Sequence, residues 1–267
     1  MKDYQNNRNG GTPPQRFYHQ KKISAEIIYG LHPIMEALDA GQELERIVLR
    51  KGLVGDQLPL ITRRAKERNI PVQYVPAEWF IRLGSRNHQG AIAFIAVLEY
   101  QNIEWILPKI YESGEEPLIV VSGGITDVRN LGAIVRTAEC AGAHALVVPT
   151  TGGAQINADA VKTSAGALAH FPVARTKSLR HTCEFLKESG LRLIAATEYG
   201  ETYYQRANLG GPLALILGDE GTGVPDELLA LCDEKVRIPL HGQISSLNVS
   251  VAAGILLYAI ESQRHKS

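Results

Sequence analysis

The chain has 267 residues, of which 45% are hydrophobic and 21% are charged, and its 28 basic residues balance 28 acidic ones. At roughly 150 residues per domain this length predicts about two domains with sizeable cores. The composition excludes a mainly disordered chain, a small disulfide-rich protein and a collagen-like repeat, and the net charge alone predicts no nucleic-acid partner.

The charge is unevenly distributed along the chain. Residues 1–100 contain 14 basic and 10 acidic side chains, which leaves 14 basic and 18 acidic ones in residues 101–267. This asymmetry indicates a basic N-terminal part that faces anions.

The cysteines and apolar runs indicate a cytoplasmic protein. Cys140, Cys183 and Cys232 are few, odd in number and without metal-ligand spacing, which is typical of a reducing cytosol. No apolar run follows the first basic residues, and the apolar stretch 249–260 is too short to span a bilayer. We therefore expect no membrane segment and no metal site.

The N-terminal third divides into a tail and a small α/β unit. Residues 1–22 are polar, basic and without periodicity, which predicts a disordered basic tail, with an RNA-touching arm as the alternative. Residues 24–99 form the unit, with predicted strands at 27–29, 44–49, 72–75 and 91–98 and predicted helices at 32–40, 57–68 and 76–83.

A less regular stretch follows this unit. It contains Pro108 and an acidic turn at 112–116, and we predict a linker over residues 100–116.

Residues 117–267 alternate strands and helices more cleanly. The predicted strands are 118–122, 145–148, 191–197, 213–217 and 236–238, and the predicted helices are 131–141, 158–165, 179–189, 225–231 and 247–263. This alternation predicts a parallel sheet covered by helices on both faces. Ligands of such sheets bind beyond the carboxyl ends of the strands, so the informative residues should follow Ser122, Leu217 and Ile238.

The first informative segment is DVRNLGAIVRTAECAG, residues 127–142. Asn130 and Arg136 lie six residues apart where a loop becomes a helix. An arginine fork there could hold a phosphate or a ribose oxygen, and an asparagine could orient either partner. A surface helix position is the alternative for Arg136.

The second segment is LGDEGTGVP, residues 217–225, an apolar strand that runs into a loop with three glycines. Glycine allows positive φ and close approach of the backbone to a ligand. The loop matches neither the Walker pattern nor Gly-x-Gly-x-x-Gly, and the neighbouring Asp219 and Glu220 would repel phosphates. A neutral or cationic cofactor fits this loop better, with a plain turn as the alternative.

The third segment is IPLHGQISSLNVSVAAG, residues 238–254, a strand end followed by a polar loop and an apolar helix. Ser245 or Ser246 is the expected N-cap of that helix, because a hydroxyl can accept a first-turn amide hydrogen bond. Asn248 is then one of few polar groups at the start of a buried helix.

These three segments, in this order and at these strand ends, resemble the SpoU (TrmH) family of RNA ribose 2′-O-methyltransferases over about residues 118–262. The N-terminal unit is similar to the ribosomal-protein-L30e-like substrate-binding domain of one branch of that family, through YGLHPIMEAL at 29–38 and HQGAIA at 88–93. VKTSAGAL at 161–168 and FPVA at 171–174 are also similar to that branch. This layout is similar to the bacterial enzymes that methylate a guanosine ribose in 23S ribosomal RNA.

The resemblance implies an α/β SPOUT fold, with a deep trefoil knot in the C-terminal parallel-sheet domain. It implies S-adenosylmethionine as the cofactor, enclosed by backbone groups near Gly218, Ile238 and Leu247, and an active site assembled in a homodimer.

Five residues match the positions that the family assigns to catalysis or RNA positioning: Asn130, Arg136, Glu220, Ser246 and Asn248. Arginine stays protonated at neutral pH, so we expect Arg136 to position the ribose and stabilise charge while an RNA phosphate accepts the proton. Ser246 and Asn248 would hold the ribose and the cofactor loop, and Glu220 would orient Asn130 or Arg136.

RNA recognition is expected to fall partly to the N-terminal unit, whose basic side chains can meet phosphates. They are Arg46, Arg50, Lys51, Arg63, Arg64, Lys66, Arg68, Arg82 and Arg86. Aromatic residues make up only 6% of the chain, which favours recognition of folded RNA over base stacking along a single strand.

Three other functional hypotheses compete with methylation of ribosomal RNA. The same chemistry on transfer RNA is the nearest, although the unit at 24–99 favours ribosomal RNA. A catalytically silent RNA-binding or ribosome-assembly factor is the second, and the matching site residues argue against it. A nicotinamide or nucleotide-phosphate enzyme is the third, and the missing phosphate loop makes it the weakest.

Overall fold

A computed structural model describes residues 27–81, 83 and 87–264 of the chain. Within this part no helix is both long and apolar enough to cross a membrane. The tail expected at residues 1–22, and Arg82 and Arg86 of the basic set, lie outside the described residues.

The N-terminal unit is a mixed sheet with helices packed against it. Its elements are β1 (Ile27–Tyr29), α1 (Leu31–Asp39), β2 (Leu44–Arg50), α2 (Leu58–Glu67), β3 (Val72–Val75), α3 (Ala77–Ile81) and β4 (Ala91–Ile95). The strand order is β1-β4-β2-β3, in which β4 runs antiparallel to β1 and β2, and β2 is parallel to β3. Strand β4 ends at Ile95, three residues before its predicted end, because its partner Leu44 is the first residue of β2.

The stretch predicted as a linker contains a helix, α4 (Ile103–Glu112), so the prediction of irregular structure there is wrong. The Asn102 side chain caps this helix by accepting a hydrogen bond from the backbone N–H of Glu104 at 3.0 Å. Apolar residues recur at helical spacing and are buried: Ile103, Ile106, Leu107 and Ile110. Pro108 lies on the exposed side of the helix, where its helix-breaking tendency is overridden by the packing of this apolar face.

The C-terminal part is a seven-stranded, fully parallel sheet in the described residues, with the order β7-β6-β5-β10-β8-β11-β9. Its strands are β5 (Leu118–Gly123), β6 (Ala145–Pro149), β7 (Val173–Thr176), β8 (Arg192–Ala196), β9 (Thr202–Tyr203), β10 (Leu213–Gly218) and β11 (Glu234–Arg237). The intervening helices are α5 (Val128–Cys140), α6 (Ala158–Thr163), a 3₁₀ turn (Ala167–Ala169), α7 (Leu179–Glu188), α8 (Asp226–Leu229) and α9 (Val249–Arg264).

Helices cover both faces of this sheet, as predicted. One face packs against α5, α6 and α9, with Leu131, Ile134 and Leu256 among its buried side chains. The other face packs against α4, α7 and α8, with Leu107 and Leu186 among its buried side chains. Burial on both faces explains why the central strands are almost wholly apolar and parallel.

Candidate active site

A cavity of about 280 Å³ opens at the carboxyl ends of β8, β10 and β11. Its lining residues come from the segments 196–199, 217–229, 236–240 and 246–256, and include Gly218, Ile238 and Leu247, the three residues expected to enclose a cofactor. The structure therefore brings these three residues to one cavity, at the sheet edge where open α/β sheets bind ligands.

The glycine-rich loop after β10 forms a tight turn on one side of the cavity. Asp219 and Gly223 exchange two backbone hydrogen bonds, at 3.1 and 2.9 Å. A Cβ at Gly218 would collide with the backbone of Gly223 and Val224, and Gly223 has a φ of +70°. Glycine at both positions is thus required by close backbone approach and by a left-handed conformation.

Asp219 joins this loop to the loop after β5. Its carboxylate accepts hydrogen bonds from the Gly221 backbone N–H at 2.9 Å and from the Thr126 hydroxyl at 3.1 Å. These contacts, the Gly221 bond first, hold the pKa of Asp219 below its ordinary value. The Asp219 carboxylate therefore holds the loop after β10 against the loop after β5.

Three of the predicted site residues form one hydrogen-bonded group, which we call the amide–carboxylate triad: Asn130, Glu220 and Asn248. The Asn130 Nδ2 donates to Glu220 Oε1 at 2.8 Å. The Asn248 Nδ2 donates to the same oxygen at 2.8 Å and to Asn130 Oδ1 at 3.0 Å. The triad joins the loops or helix starts that follow β5, β10 and β11.

Asn248 also caps α9. Its Oδ1 accepts hydrogen bonds from the backbone N–H groups of Ser250 at 2.9 Å and Val251 at 3.4 Å, and from the Ser250 hydroxyl at 2.5 Å. The prediction that Ser245 or Ser246 is the N-cap is wrong, because the helix begins at Val249 and both serines precede the capping position. Asparagine is as good an N-cap as serine, so the exchange is physically neutral.

Arg136 and Ser246 stand apart from the triad. Arg136 lies six residues beyond Asn130, about 9 Å along α5, and is exposed. Ser246 is also exposed but lines the cavity. Neither side chain makes a hydrogen bond or ion pair with any residue in the described part of the chain.

Four further residues contribute to the site and are not among those predicted from the sequence. Thr126 and Ser250 hold Asp219 and Asn248, while Glu198 and Tyr199 line the cavity after β8. The rule that ligands meet the carboxyl ends of strands applies equally to β8, so it would have found Glu198 and Tyr199. The contacts of Thr126 and Ser250 have no comparable signal in the sequence.

The electrostatics of the cavity favour a neutral or cationic ligand. The lining residues include four carboxylates, Glu198, Asp219, Glu220 and Asp226, and no Lys or Arg among those described. A free phosphate group would meet no positive side chain there, whereas a positive charge would be stabilised.

The described basic side chains of the N-terminal unit fall into two groups: engaged ones, which pair with a neighbouring group, and free ones, which make no ion pair or hydrogen bond with a described residue. The engaged arginines pair with neighbouring groups: Arg63 with Glu67, Arg64 with Asp39, Arg68 with Glu43, and Arg46 with Gln155. Within the described residues, Arg50, Lys51 and Lys66 are exposed and make no side-chain ion pair or hydrogen bond. These three are the most available for an anionic partner.

Two family models match the chain. The model described as the SpoU rRNA methylase family matches residues 117–258, and the model described as RNA 2′-O ribose methyltransferase substrate binding matches residues 27–101.

Similar proteins span almost the whole chain. A putative TrmH family tRNA/rRNA methyltransferase of Bacillus subtilis is 31% identical over 240 residues, which are 90% of this chain and 96% of that protein. A crystal structure of an RNA 2′-O ribose methyltransferase is 30% identical, with a TM-score of 0.52 over 89% of this chain and 88% of that one. The SpoU methyltransferase AviRb from Streptomyces viridochromogenes, in complex with AdoMet, shares the fold at 22% identity, with a TM-score of 0.58 over 90% and 91% of the two chains. These matches confirm the predicted fold class.

Proposed function

The chain belongs to the SpoU rRNA methylase family of RNA methyltransferases, and from that premise we propose that it methylates the ribose 2′-OH of a guanosine in 23S ribosomal RNA. The observation that carries this proposal is the amide–carboxylate triad of Asn130, Glu220 and Asn248 beside a cavity suited to a cationic cofactor. In this proposal residues 24–99 are the substrate-binding domain and residues 117–267 the catalytic domain.

S-adenosylmethionine fits the chemistry of the cavity. Its sulfonium and ammonium groups are positive and it has no phosphate, which agrees with the carboxylates around the cavity. Apolar side chains such as Leu247, Ile238 and Leu256 offer surface to an adenine ring, and the loop at Gly218 offers backbone groups. When bound, the cofactor supplies the methyl group.

The chain's own residues position the ribose and stabilise the charge that develops on it. The triad fixes the orientation of both amides, and Asn130 keeps one N–H that makes no described hydrogen bond and can meet a ribose oxygen. Ser246 presents a free hydroxyl at the cavity wall. The arginine side chain has five N–H donors and no acceptor, so Arg136 stabilises the developing charge while an RNA phosphate accepts the 2′-OH proton.

A homodimer is part of this proposal. Val251 and Tyr258 lie two turns apart on one side of α9 and are each 51% exposed, and Ile244 in the preceding loop is 76% exposed. Helix α9 packs on α5, where Gly254 faces Thr137 beside Arg136. An apolar surface of this kind is stabilised when a second copy covers it. Such a copy would also bring Arg136 close to the site of its partner.

Light scattering tests the dimer directly. The unaltered chain should have twice the mass of one chain, and Val251→Glu should shift it towards the monomer because a carboxylate would be buried in the interface. A monomeric unaltered chain at high concentration would contradict this part of the proposal.

Incubation with labelled S-adenosylmethionine tests the reaction and the substrate. Unmodified 23S ribosomal RNA and transfer RNA are offered separately, and the product is mapped by primer extension that is sensitive to ribose methylation. We expect a single ribose methyl on a guanosine of the 23S RNA, abolished by Arg136→Ala and strongly reduced by Arg136→Lys, which lacks the planar fork. Arg180→Ala on α7 is the matched control and should keep full turnover, because Glu184 is the one ion-pair partner of Arg180 among the residues that the structure describes.

The other outcomes separate the alternatives. Methylation of transfer RNA alone would keep the chemistry and overturn the substrate. If the chain binds the cofactor but methylates neither RNA nor a pre-ribosomal particle, a catalytically silent RNA-binding factor would be favoured. Near-full turnover by Arg136→Lys would contradict a role for the guanidinium fork.

A further inference from the structure

Strand β2 carries a bulge that faces the catalytic part of the chain. Leu44 pairs with Ile95 and Arg46 pairs with Phe94, so Glu45 is an extra residue without a partner on β4. A bulge leaves backbone groups out of the sheet ladder and redirects a side chain. At this bulge the freed groups meet a residue from the other sheet.

That residue is Arg175 of β7, which is only 8% exposed. Its Nη1 donates to the Glu45 carbonyl oxygen at 3.1 Å and its Nη2 to the Leu44 carbonyl oxygen at 3.2 Å. The guanidinium also lies 3.9 Å from the centre of the Tyr100 ring. One arginine fork therefore binds the bulge of the N-terminal sheet to the edge strand of the catalytic sheet.

The Glu45 carboxylate completes this cluster. It is 7% exposed, accepts a hydrogen bond from the Tyr100 hydroxyl at 2.6 Å, and lies 3.8 Å from the Arg175 Nη1. Burial raises the pKa of Glu45, against the opposing effects of Tyr100 and Arg175. Within the described residues the buried Arg175 Nε has no hydrogen-bond partner, so the cluster depends on the contacts of Nη1 and Nη2. Removing a partner from a buried charge is costly, and these contacts therefore favour one arrangement of the cluster.

Few other contacts fix the orientation of the two sheets. The buried core clusters of the N-terminal unit contain only residues 27–95, and those of the catalytic part contain only residues from 97 onward, among the residues described. Units that share no apolar core move relative to each other unless polar contacts hold them. Here the buried polar contacts are concentrated at the bulge, while the Lys177 ammonium binds the Lys66 carbonyl oxygen at the exposed surface.

A second contact leads from the bulge towards the triad. Arg46 stacks on Phe94 at 4.0 Å and donates a hydrogen bond to Gln155, in the loop between β6 and α6. In the same loop the Ala154 N–H donates to the Ile125 carbonyl oxygen at 2.7 Å, directly before Thr126. The loop thus contacts the N-terminal unit on one side and the base of the site on the other.

We propose that Arg175 is a positioning residue for RNA methylation, which clamps the β2 bulge so that one RNA contacts the N-terminal unit and the amide–carboxylate triad together. This inference rests on the proposed function, because it needs RNA bound to both units. Arg175 does not touch the cavity, so its effect on the reaction should be confined to the RNA.

Replacing Arg175 with methionine tests the clamp in the full-length chain. Methionine keeps most of the side-chain volume and removes the fork. We expect kcat/KM for the RNA to fall by about tenfold to 100-fold, since small misplacements of a substrate have effects of this size. The Kd for S-adenosylmethionine should stay unchanged, and hydrogen exchange should rise in peptides over 43–50 but not over β10.

Two further variants separate positioning from folding. Arg192→Met removes a guanidinium whose Nη2 donates to the Asn208 and Gly210 carbonyl oxygens inside the catalytic part, and should leave kcat/KM for the RNA unchanged. Glu45→Gln keeps an acceptor for Tyr100 and both carbonyl oxygens for Arg175 but removes the charge opposite Arg175, so its kcat/KM for the RNA should fall less than that of Arg175→Met.

The experiments distinguish a failure of the proposed function from a failure of the clamp. If the unaltered chain binds the cofactor and methylates no RNA, the proposed function fails and this inference fails with it. If the unaltered chain methylates RNA and Arg175→Met does so equally well, or loses cofactor affinity in parallel, only the clamp is overturned. Equal losses in Arg175→Met and Arg192→Met would also overturn it.

Discussion

The side-chain amide of Asn248 has two structural roles, one at each end. Its oxygen caps α9 through the N–H of Ser250, and its nitrogen donates to Glu220 and Asn130. Aspartate at this position would keep the capping oxygen, lose both donors and place a second carboxylate beside Glu220. The two roles can therefore be separated by one substitution.

For Asn248→Asp we expect α9 to keep its cap, so that the thermal unfolding midpoint falls only through repulsion from Glu220. Methyl transfer should fall by about 100-fold, because Asn130 and Glu220 lose the donor that orients them. Asn248→Ala should lose turnover and about 1 kcal/mol of stability as well, because the cap is removed. Asn102→Asp, at the cap of α4, is the matched control and should keep full turnover. Normal activity of Asn248→Asp would show that the donors to Glu220 are dispensable.

The Asp219 carboxyl has a pKa held below its ordinary value, chiefly by the Gly221 N–H and also by the Thr126 hydroxyl. The folded state then binds its proton less readily than the unfolded state. The resulting stability is fully present above the ordinary pKa of about 3.9 and is lost as the pH falls through the folded-state pKa.

Asp219→Asn should therefore be less stable than the unaltered chain near neutral pH, and the difference should shrink as the pH falls below about 4. Denaturant unfolding at a series of pH values measures this difference. A difference that stays constant down to the acid limit would mean that Asp219 is not protected from protonation.

At the scale of elements, α5 and α6 approach each other closely at Gly132. A Cβ there would lie 2.6 Å from the Ala160 carbonyl oxygen and would collide with the Thr163 hydroxyl. Gly254 in α9 offers a contrast, because a Cβ there would lie 3.7 Å from the Thr137 methyl carbon, which is an ordinary contact.

We expect Gly132→Ala to lower the free energy of unfolding by about 1–3 kcal/mol through overpacking. Gly254→Ala should be neutral or stabilise the fold by up to about 1 kcal/mol, because alanine favours a helix over glycine. Denaturant unfolding of both variants checks the pair. Equal effects of the two substitutions would contradict close packing of α5 on α6.

The elements that the sequence predicts well are those whose apolar pattern is strong by itself. Strands β5 and β10 are continuous apolar runs, and α5 and α7 have clear helical spacing. The short edge strands β7 and β9 are not predicted, because β7 depends on pairing with β6 and β9 on pairing with β11. Helix α4 is not predicted because it contains Pro108, a helix breaker, although the apolar residues around Pro108 keep helical spacing.

The site, too, has a part that can be predicted from the sequence and a part that cannot. The rule that ligands bind at strand ends points to the segments that follow Ser122, Leu217 and Ile238, and the family resemblance implies the roles of Gly218, Ile238 and Asn248 in or beside them. It cannot show that Glu220 accepts hydrogen bonds from both Asn130 and Asn248, because the contacts of the triad join residues up to 118 positions apart. Such contacts depend on the sheet order, which a single sequence does not contain.

For the molecule as a whole, charges balance not only over the full chain but also within the N-terminal unit, where residues 24–99 hold nine basic and nine acidic side chains. The cations of this unit are nevertheless not equivalent. Arg63 and Arg64 are held by Glu67 and Asp39 on the same unit. Arg50 and Lys51 lie at the end of β2, exposed and without a described ion pair. Only the second pair can neutralise phosphates without first breaking an ion pair.

Each phosphate contact releases counterions, so the slope of log K against log salt counts the contacts that a protein makes with RNA. Removing Arg50 and Lys51 together should make that slope shallower by about 1.4 to 1.8, because each lost contact changes it by about 0.7 to 0.9. Arg63→Ala with Arg64→Ala is the matched control, with equal charge removed from α2 and a much smaller change in slope. Binding titrations at several salt concentrations measure both. Equal slopes for the two double variants would mean that Arg50 and Lys51 contact RNA phosphates no more than Arg63 and Arg64 do, whereas a change confined to Arg50 and Lys51 places the RNA backbone at the end of β2.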